Sequence, residues 1–153
     1  MKVLLAIDEE ACSEEAVNVV GGRPWGEGTT VRVLRAVGKF VPPAQELWHD
    51  AGGDLAQARE EIKERSTELT ERAAEWLREQ GLNVETAVRD GEPGRAVVAE
   101  AKEWGADLVV IGSRGHTGLR RLLEGSVSHY VVDHAPCPVE VVHCKESGEE
   151  QGG

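Results

Sequence analysis

Two periods of hydrophobicity alternate along the chain. Val3 to Ile7 is an unbroken apolar run, the pattern of a strand buried on both faces. Cys12, Ala16, Val19 and Val20 then recur at helical spacing, and Gly21-Gly22 with Pro24 ends that helix. Val31 and Val33, extending to Ala36, predict a second strand. Phe40 to Gly53 reads as irregular, punctuated by Pro42-Pro43 and Gly52-Gly53. The longest periodic stretch carries Leu55, Ala58, Ile62, Leu69, Ala73 and Trp76 on one face, with Glu, Lys and Arg on the others. It predicts an amphipathic helix closed by Gly81. Leu82, Val84, Thr86 and Val88 alternate with polar residues as a third strand, and Asp90-Gly91 turns the chain. Pro93 suits the first turn of a helix whose inner face is Val97, Ala101 and Trp104. Leu108 to Ile111 is a fourth strand. Val127, Tyr130, Val131 and His134 mark a last helix, and Val139 to His143 a fifth strand framed by Pro136 and Pro138.

Strand and helix thus alternate four times before a closing strand. That order predicts an α/β fold: an open, doubly wound, five-stranded parallel sheet with helices on both faces. The continuously apolar first and fourth strands belong in its centre. The third and fifth, interrupted by polar residues, suit the edges, which predicts the order 3-2-1-4-5. In such a sheet ligands bind beyond the carboxyl ends of the strands, where the winding reverses. Asp8 and Gly112 would then face each other across one crevice. Residues 1–144 read as a single domain, and the polar tail 145–153 as disordered.

Composition narrows the partners. The chain carries 17 basic and 28 acidic residues and a formal net charge of −11. This argues against nucleic acid, whose affinity rests on phosphate neutralisation. No apolar stretch approaches membrane-span length, and the apolar start is too short for a signal-peptide core. Cys12, Cys137 and Cys144 are scattered and lack metal-ligand or disulfide spacing, which suits reduced thiols in a cytoplasmic protein.

Against this acidic background, the segment after the fourth strand is locally basic. It holds Arg114, Arg120 and Arg121 against Glu124 alone, among Gly112, Gly115, Gly118 and Gly125. Glycines let a backbone approach a ligand, and main-chain amides with a helix start and arginines make an anion site, phosphate first. Arg120 and Arg121 also fit a plain solvated face, and Trp48, Trp76 and Trp104 fit packing better than stacking on a base. The spacing excludes a P-loop, since no lysine lies between Gly112 and Ser128. The first strand is followed by Asp8-Glu9-Glu10-Ala11, not GxGxxG, and no GxSxG or HExxH occurs.

Gly112-x2-Gly115-x9-Gly125 followed by Ser126 resembles the signature of the universal stress protein family, in its ATP-binding branch. The similarity spans nearly the whole chain, from the strand ending in Asp8 to Pro138-Val139-Glu140-Val141-Val142. It implies the adenine nucleotide alpha hydrolase-like variety of the fold. It further implies that Gly112, Arg114, Gly115, Gly125, Ser126, Val127 and Ser128 wrap the ribose and phosphates of ATP. Asp8 would lie near the nucleotide, with indirect contact to Mg²⁺, and Val37 at the end of the second strand would offer main-chain groups to adenine. A homodimer through the last strand (Val139, Glu140, Val141, Val142) is implied too, with Glu140 departing from the usual apolar residue. The expected function is an ATP-binding regulatory protein of the stress response, with no catalytic residues assigned. A slow ATPase or phosphotransferase, and a nucleotide-free interaction module, are the alternatives.

Overall fold

The computed structural model describes residues 1–8, 11–38, 54–114 and 126–144. The stretch expected to be irregular and the tail expected to be disordered lie outside these residues. The described elements run β1 (Lys2–Ile7), α1 (Ala11–Gly21), β2 (Thr30–Val37), α2 (Asp54–Glu79), β3 (Asn83–Asp90), α3 (Pro93–Trp104), β4 (Leu108–Arg114), α4 (Ser126–His134) and β5 (Val139–Cys144). The five strands form one sheet in the order β3-β2-β1-β4-β5, and every neighbouring pair is parallel. The order read from the sequence is therefore the observed one, with β1 central and β3 and β5 at the edges.

The apolar run of β1 is continuous because both its faces are covered. Val3, Leu5 and Ile7 point into a core shared with Ala16 and Val20 of α1 and Ala74 and Leu77 of α2. Leu4 and Ala6 point the other way, toward Val97 and Ala101 of α3 and Val131 of α4. Leu4, Leu5, Leu34 and Leu77 have no exposed surface, and burying each such side chain contributes about 1.5–3 kcal/mol.

The long helix meets the sheet on a stripe rotated from the expected one. Its buried residues are Ser66, Thr70, Ala74 and Leu77, while Leu69 and Ala73 are half-buried and Trp76 is 36% exposed. Small residues on the inner stripe let the helix lie close, and the Thr70 hydroxyl donates to the Thr67 carbonyl at 2.9 Å, so its burial leaves no polar atom unmet. Trp76 instead lies across the end of α1. A Cβ at Gly21 would fall 2.2 Å from its ring, so only glycine admits this crossing without movement.

β2 carries Arg32 into the interior half of the sheet. Its guanidinium pairs with Glu85 of β3 (2.8 Å) and with Glu100 of α3 (2.6 Å), and lies 4.4 Å from the Trp104 ring. Glu100 is 9% exposed. It also accepts from Arg89 at 2.9 Å, and Arg89 in turn holds Glu103. The Glu100 carboxylate is buried because it is paired with both arginines.

Candidate functional site

The carboxyl edge of the sheet has a notch at its centre. The last pair of β1 with β4 is Ala6↔Ile111, and the last with β2 is Ile7↔Arg35. Both flanking strands continue past that point. β2 runs on to Val37, paired with Asp90 of β3, and β4 runs on through Gly112, Ser113 and Arg114, paired with Val142, His143 and Cys144 of β5. Gly112 thus lies inside a strand rather than just after one. The chain leaves β1 at Asp8, at the position where the winding of the sheet reverses.

Asp8 is held at the floor of the notch by α1. Its main-chain N–H donates to the Ser13 hydroxyl oxygen at 2.7 Å, and that hydroxyl donates back to Asp8 Oδ1 at 2.7 Å. Ser13 is buried and Asp8 exposed. One side chain therefore fixes both the direction of the chain out of β1 and the orientation of the carboxylate. Sequence reasoning missed Ser13, whose only local signal is a hydroxyl in the first turns of a helix. Asp8 and Ser13 also line a cavity of about 710 Å³ between α1 and α2, with Val17, Leu69, Arg72 and Trp76.

The expectation for Val37 is corrected by the register. In a parallel ladder, the N–H and C=O of one residue point to the same neighbouring strand, and those of the next residue point the other way. The Thr30 N–H donates to the Met1 carbonyl, so even-numbered residues of β2 face β1. The Val37 carbonyl accepts from the Gly91 N–H at 2.9 Å, so Val37 faces β3. Its main chain is turned away from the notch. Ala36, one residue past the last partner in β1, is the residue whose main chain faces it.

On the other side of the notch, α4 begins at Ser126, so its first turn directs main-chain N–H groups out of the helix start. Val127 is half-buried against the core cluster of α3 and α4, and Ser128 is 7% exposed. Gly112 and the backbone of Arg114 are placed in β4, beside the notch. Gly115 and Gly125 lie outside the described residues, as do Arg120, Arg121 and Glu124. Among the described residues, no three His, Cys, Asp or Glu side chains come together as a metal site.

At the far edge, Glu140 of β5 sits opposite Val110. Arg23, after α1, grips its carboxylate with both Nη1 (2.8 Å) and Nη2, and packs over Trp25 at 5.0 Å. The hydrogen bonds from Arg23 lower the Glu140 pKa, with burial opposing and charge attraction assisting. The acidic departure expected at this strand is thus neutralised from within the chain. Nearby, burial pushes the Cys137 thiol up, with the charge of Asp107 adding to it.

The model of the universal stress protein family matches residues 1–143. The chain belongs to the universal stress protein family. It is 41% identical to the universal stress protein YxiE of Bacillus subtilis over 144 residues, covering 92% of this chain and 97% of the relative. It is 46% identical to a universal stress protein of Synechocystis sp. over 152 residues, covering 92% and 96%. Among solved structures, it is similar to hypothetical protein MJ0577, with a TM-score of 0.77 and 25% identity over 95% of this chain and 97% of that one. A universal stress protein in complex with cAMP shares the fold at a TM-score of 0.62 and 24% identity, covering 94% of this chain and 96% of that one. So does an Arabidopsis thaliana family protein with AMP bound, at 0.61 and 19%, covering 97% and 94%. No described helix is long and apolar enough to cross a membrane.

Proposed function

We propose that this universal stress protein is a cytoplasmic, ATP-binding regulatory protein whose single domain, residues 1–144, holds the nucleotide in the notch beyond β1. The observation that carries the reading is the notch itself, with Asp8 anchored at its floor and Gly112 of the signature in its wall. Family proteins with cAMP or AMP bound support adenine nucleotide as the ligand class. Ala36, in place of Val37, offers main-chain groups to the adenine edge. Gly112, Gly115 and Gly125 let the backbone close on the ribose and phosphates. The amides at Ser126, Val127 and Ser128 meet the anion at the positive end of α4, with Arg114 adding charge.

Mg²⁺ fits this arrangement as a companion of the phosphates. Asp8 supplies one hard carboxylate, and the ion prefers a few such oxygens plus water and phosphate. Among the described strands, β5 has a neighbour on one side only, β4. Its outer edge, with Val139, Glu140, Val141 and Val142, is the surface for a homodimer, and the Arg23–Glu140 pair removes the charge that would oppose it.

The test is calorimetric titration of ATP with Mg²⁺ into folded protein stripped of nucleotide. Saturable binding near one site per chain is expected, and Gly115→Val should abolish it by blocking the phosphate path. Absence of saturable binding, or unchanged affinity in Gly115→Val, would refute the assignment.

A further inference from the structure

We propose that the contact between Gly94 and Tyr130 is a positioning contact that sets how tightly this protein holds the phosphates of its nucleotide, an inference that rests on the nucleotide reading above. Gly94 lies in the first turn of α3 and is buried. A Cβ built there would fall 2.9 Å from Cδ1, 3.2 Å from Cγ and 3.3 Å from Cβ of Tyr130. These atoms sit at the root of the side chain, not at a far end free to swing. Tyr130 is held within its own helix as well. Its ring stacks on His134 with centroids 4.0 Å apart and planes 17° apart. His134 Nδ1 lies 2.9 Å from the Tyr130 carbonyl oxygen. The glycine therefore defines how closely α4 approaches α3.

The same short turn is tied to the opposite side of the notch. The Gly91 N–H donates to the Val37 carbonyl at 2.9 Å, next to Ala36. Pro93 fixes φ between these two anchor points, and the Ala96 N–H closes the first turn of α3 on the Glu92 carbonyl at 2.8 Å. Gly91 to Gly94 is thus a four-residue strut. One end braces the strand that faces the base. The other sets the position of α4, whose first residues, one turn before Tyr130, face the phosphates. A side chain at position 94 pushes α4 outward and leaves β2 in place. Hydrogen bonds weaken steeply with small changes in distance and angle, so the phosphate contacts suffer and the base contacts do not.

The experiment compares nucleotide-stripped, full-length wild type, Gly94→Ala, Gly94→Val and Gly94→Val/Tyr130→Ala. Dissociation constants for ATP with Mg²⁺ and for adenosine are read by competition against a fluorescent adenosine analogue, with a thermal melt for each protein. Gly94→Val should weaken ATP about tenfold and adenosine by less than about twofold, and Gly94→Ala should weaken ATP about threefold. Removing the Tyr130 ring in the double variant should restore ATP affinity to within about threefold of wild type. If Gly94→Val does not fold, Gly94→Ala carries the same comparison. A lowered melting temperature with an unchanged ratio of ATP to adenosine affinity would overturn the inference, as would equal weakening of both ligands or no rescue by the double variant. Wild type that binds the analogue, yet shows no preference for ATP over adenosine, would overturn it while leaving the base site standing. Wild type that binds neither ligand would overturn the nucleotide reading and this inference together.

Discussion

Replacing Ser13 with alanine isolates the device that holds Asp8. The Ser13 hydroxyl makes two hydrogen bonds of 2.7 Å, one accepted from the Asp8 N–H and one donated to Asp8 Oδ1. Ser13 is 8% exposed, so the substitution removes both bonds with little change in shape. A neutral hydrogen bond contributes about 0.5–1.5 kcal/mol, and one to a charged group about 1.5–3 kcal/mol. Asp8 is exposed, and water recovers most of the second. The expected loss is about 1.5 kcal/mol, a fall in melting temperature of about 3–6 °C for a chain of this length. Urea unfolding at pH 7 of nucleotide-stripped protein gives the free energy from the shift in midpoint at constant slope. Asp8→Ala removes the carboxylate's bond to the Ser13 hydroxyl and keeps the main-chain one. The two should couple by about 0.5 kcal/mol in a double-mutant cycle. A loss below about 0.5 kcal/mol in Ser13→Ala, or strict additivity with Asp8→Ala, would refute the view that this hydroxyl organises the floor of the notch.

Glu100→Ala leaves Arg32 and Arg89 each with one remaining carboxylate. It should destabilise the protein by about 2 kcal/mol in urea, less than the 3–5 kcal/mol of a fully broken buried pair, and Glu100→Gln by about half as much. The Arg23–Glu140 pair predicts a pH dependence. The folded Glu140 pKa lies below the ordinary value of 4.5. Its contribution is therefore present above 4.5 and is lost as pH falls through the lowered folded value. Both side chains are about one-third exposed, so the excess stability of wild type over Glu140→Gln should be at most about 1 kcal/mol at pH 7. It should shrink on acidification, and a difference that grows toward low pH would contradict the pairing.

The strand order was legible because burial on two faces leaves its mark in the local pattern. Val3 to Ile7 and Leu108 to Ile111 are continuously apolar, and no edge strand tolerates that as well as a central one. Helix ends were legible for a similar reason. Gly81, with φ 92°, adopts a conformation that other residues rarely take. Pro93 opens α3, as its missing N–H allows. The signature from Gly112 to Ser126 was legible because glycine spacing and a helix start are themselves local features.

Other features became defined only when strands and helices met. Val37 and Ala36 are indistinguishable in the sequence, and the choice between them depends on which residue of β2 hydrogen-bonds to which neighbour. The amphipathic pattern of α2 named Trp76 as inward, but the sheet accepted the narrower stripe of Ser66, Thr70, Ala74 and Leu77 and left the indole for the groove beside Gly21. Arg32 meets Glu100 across 68 positions and Arg23 meets Glu140 across 117. No local pattern records such partners. The sequence alone determined which segments are strands and which are helices, because those properties depend on side chains a few residues apart. The tertiary structure alone decided which main-chain groups face the notch, which charges are neutralised and which helices touch, because register and contact join residues whose spacing in the chain carries no information.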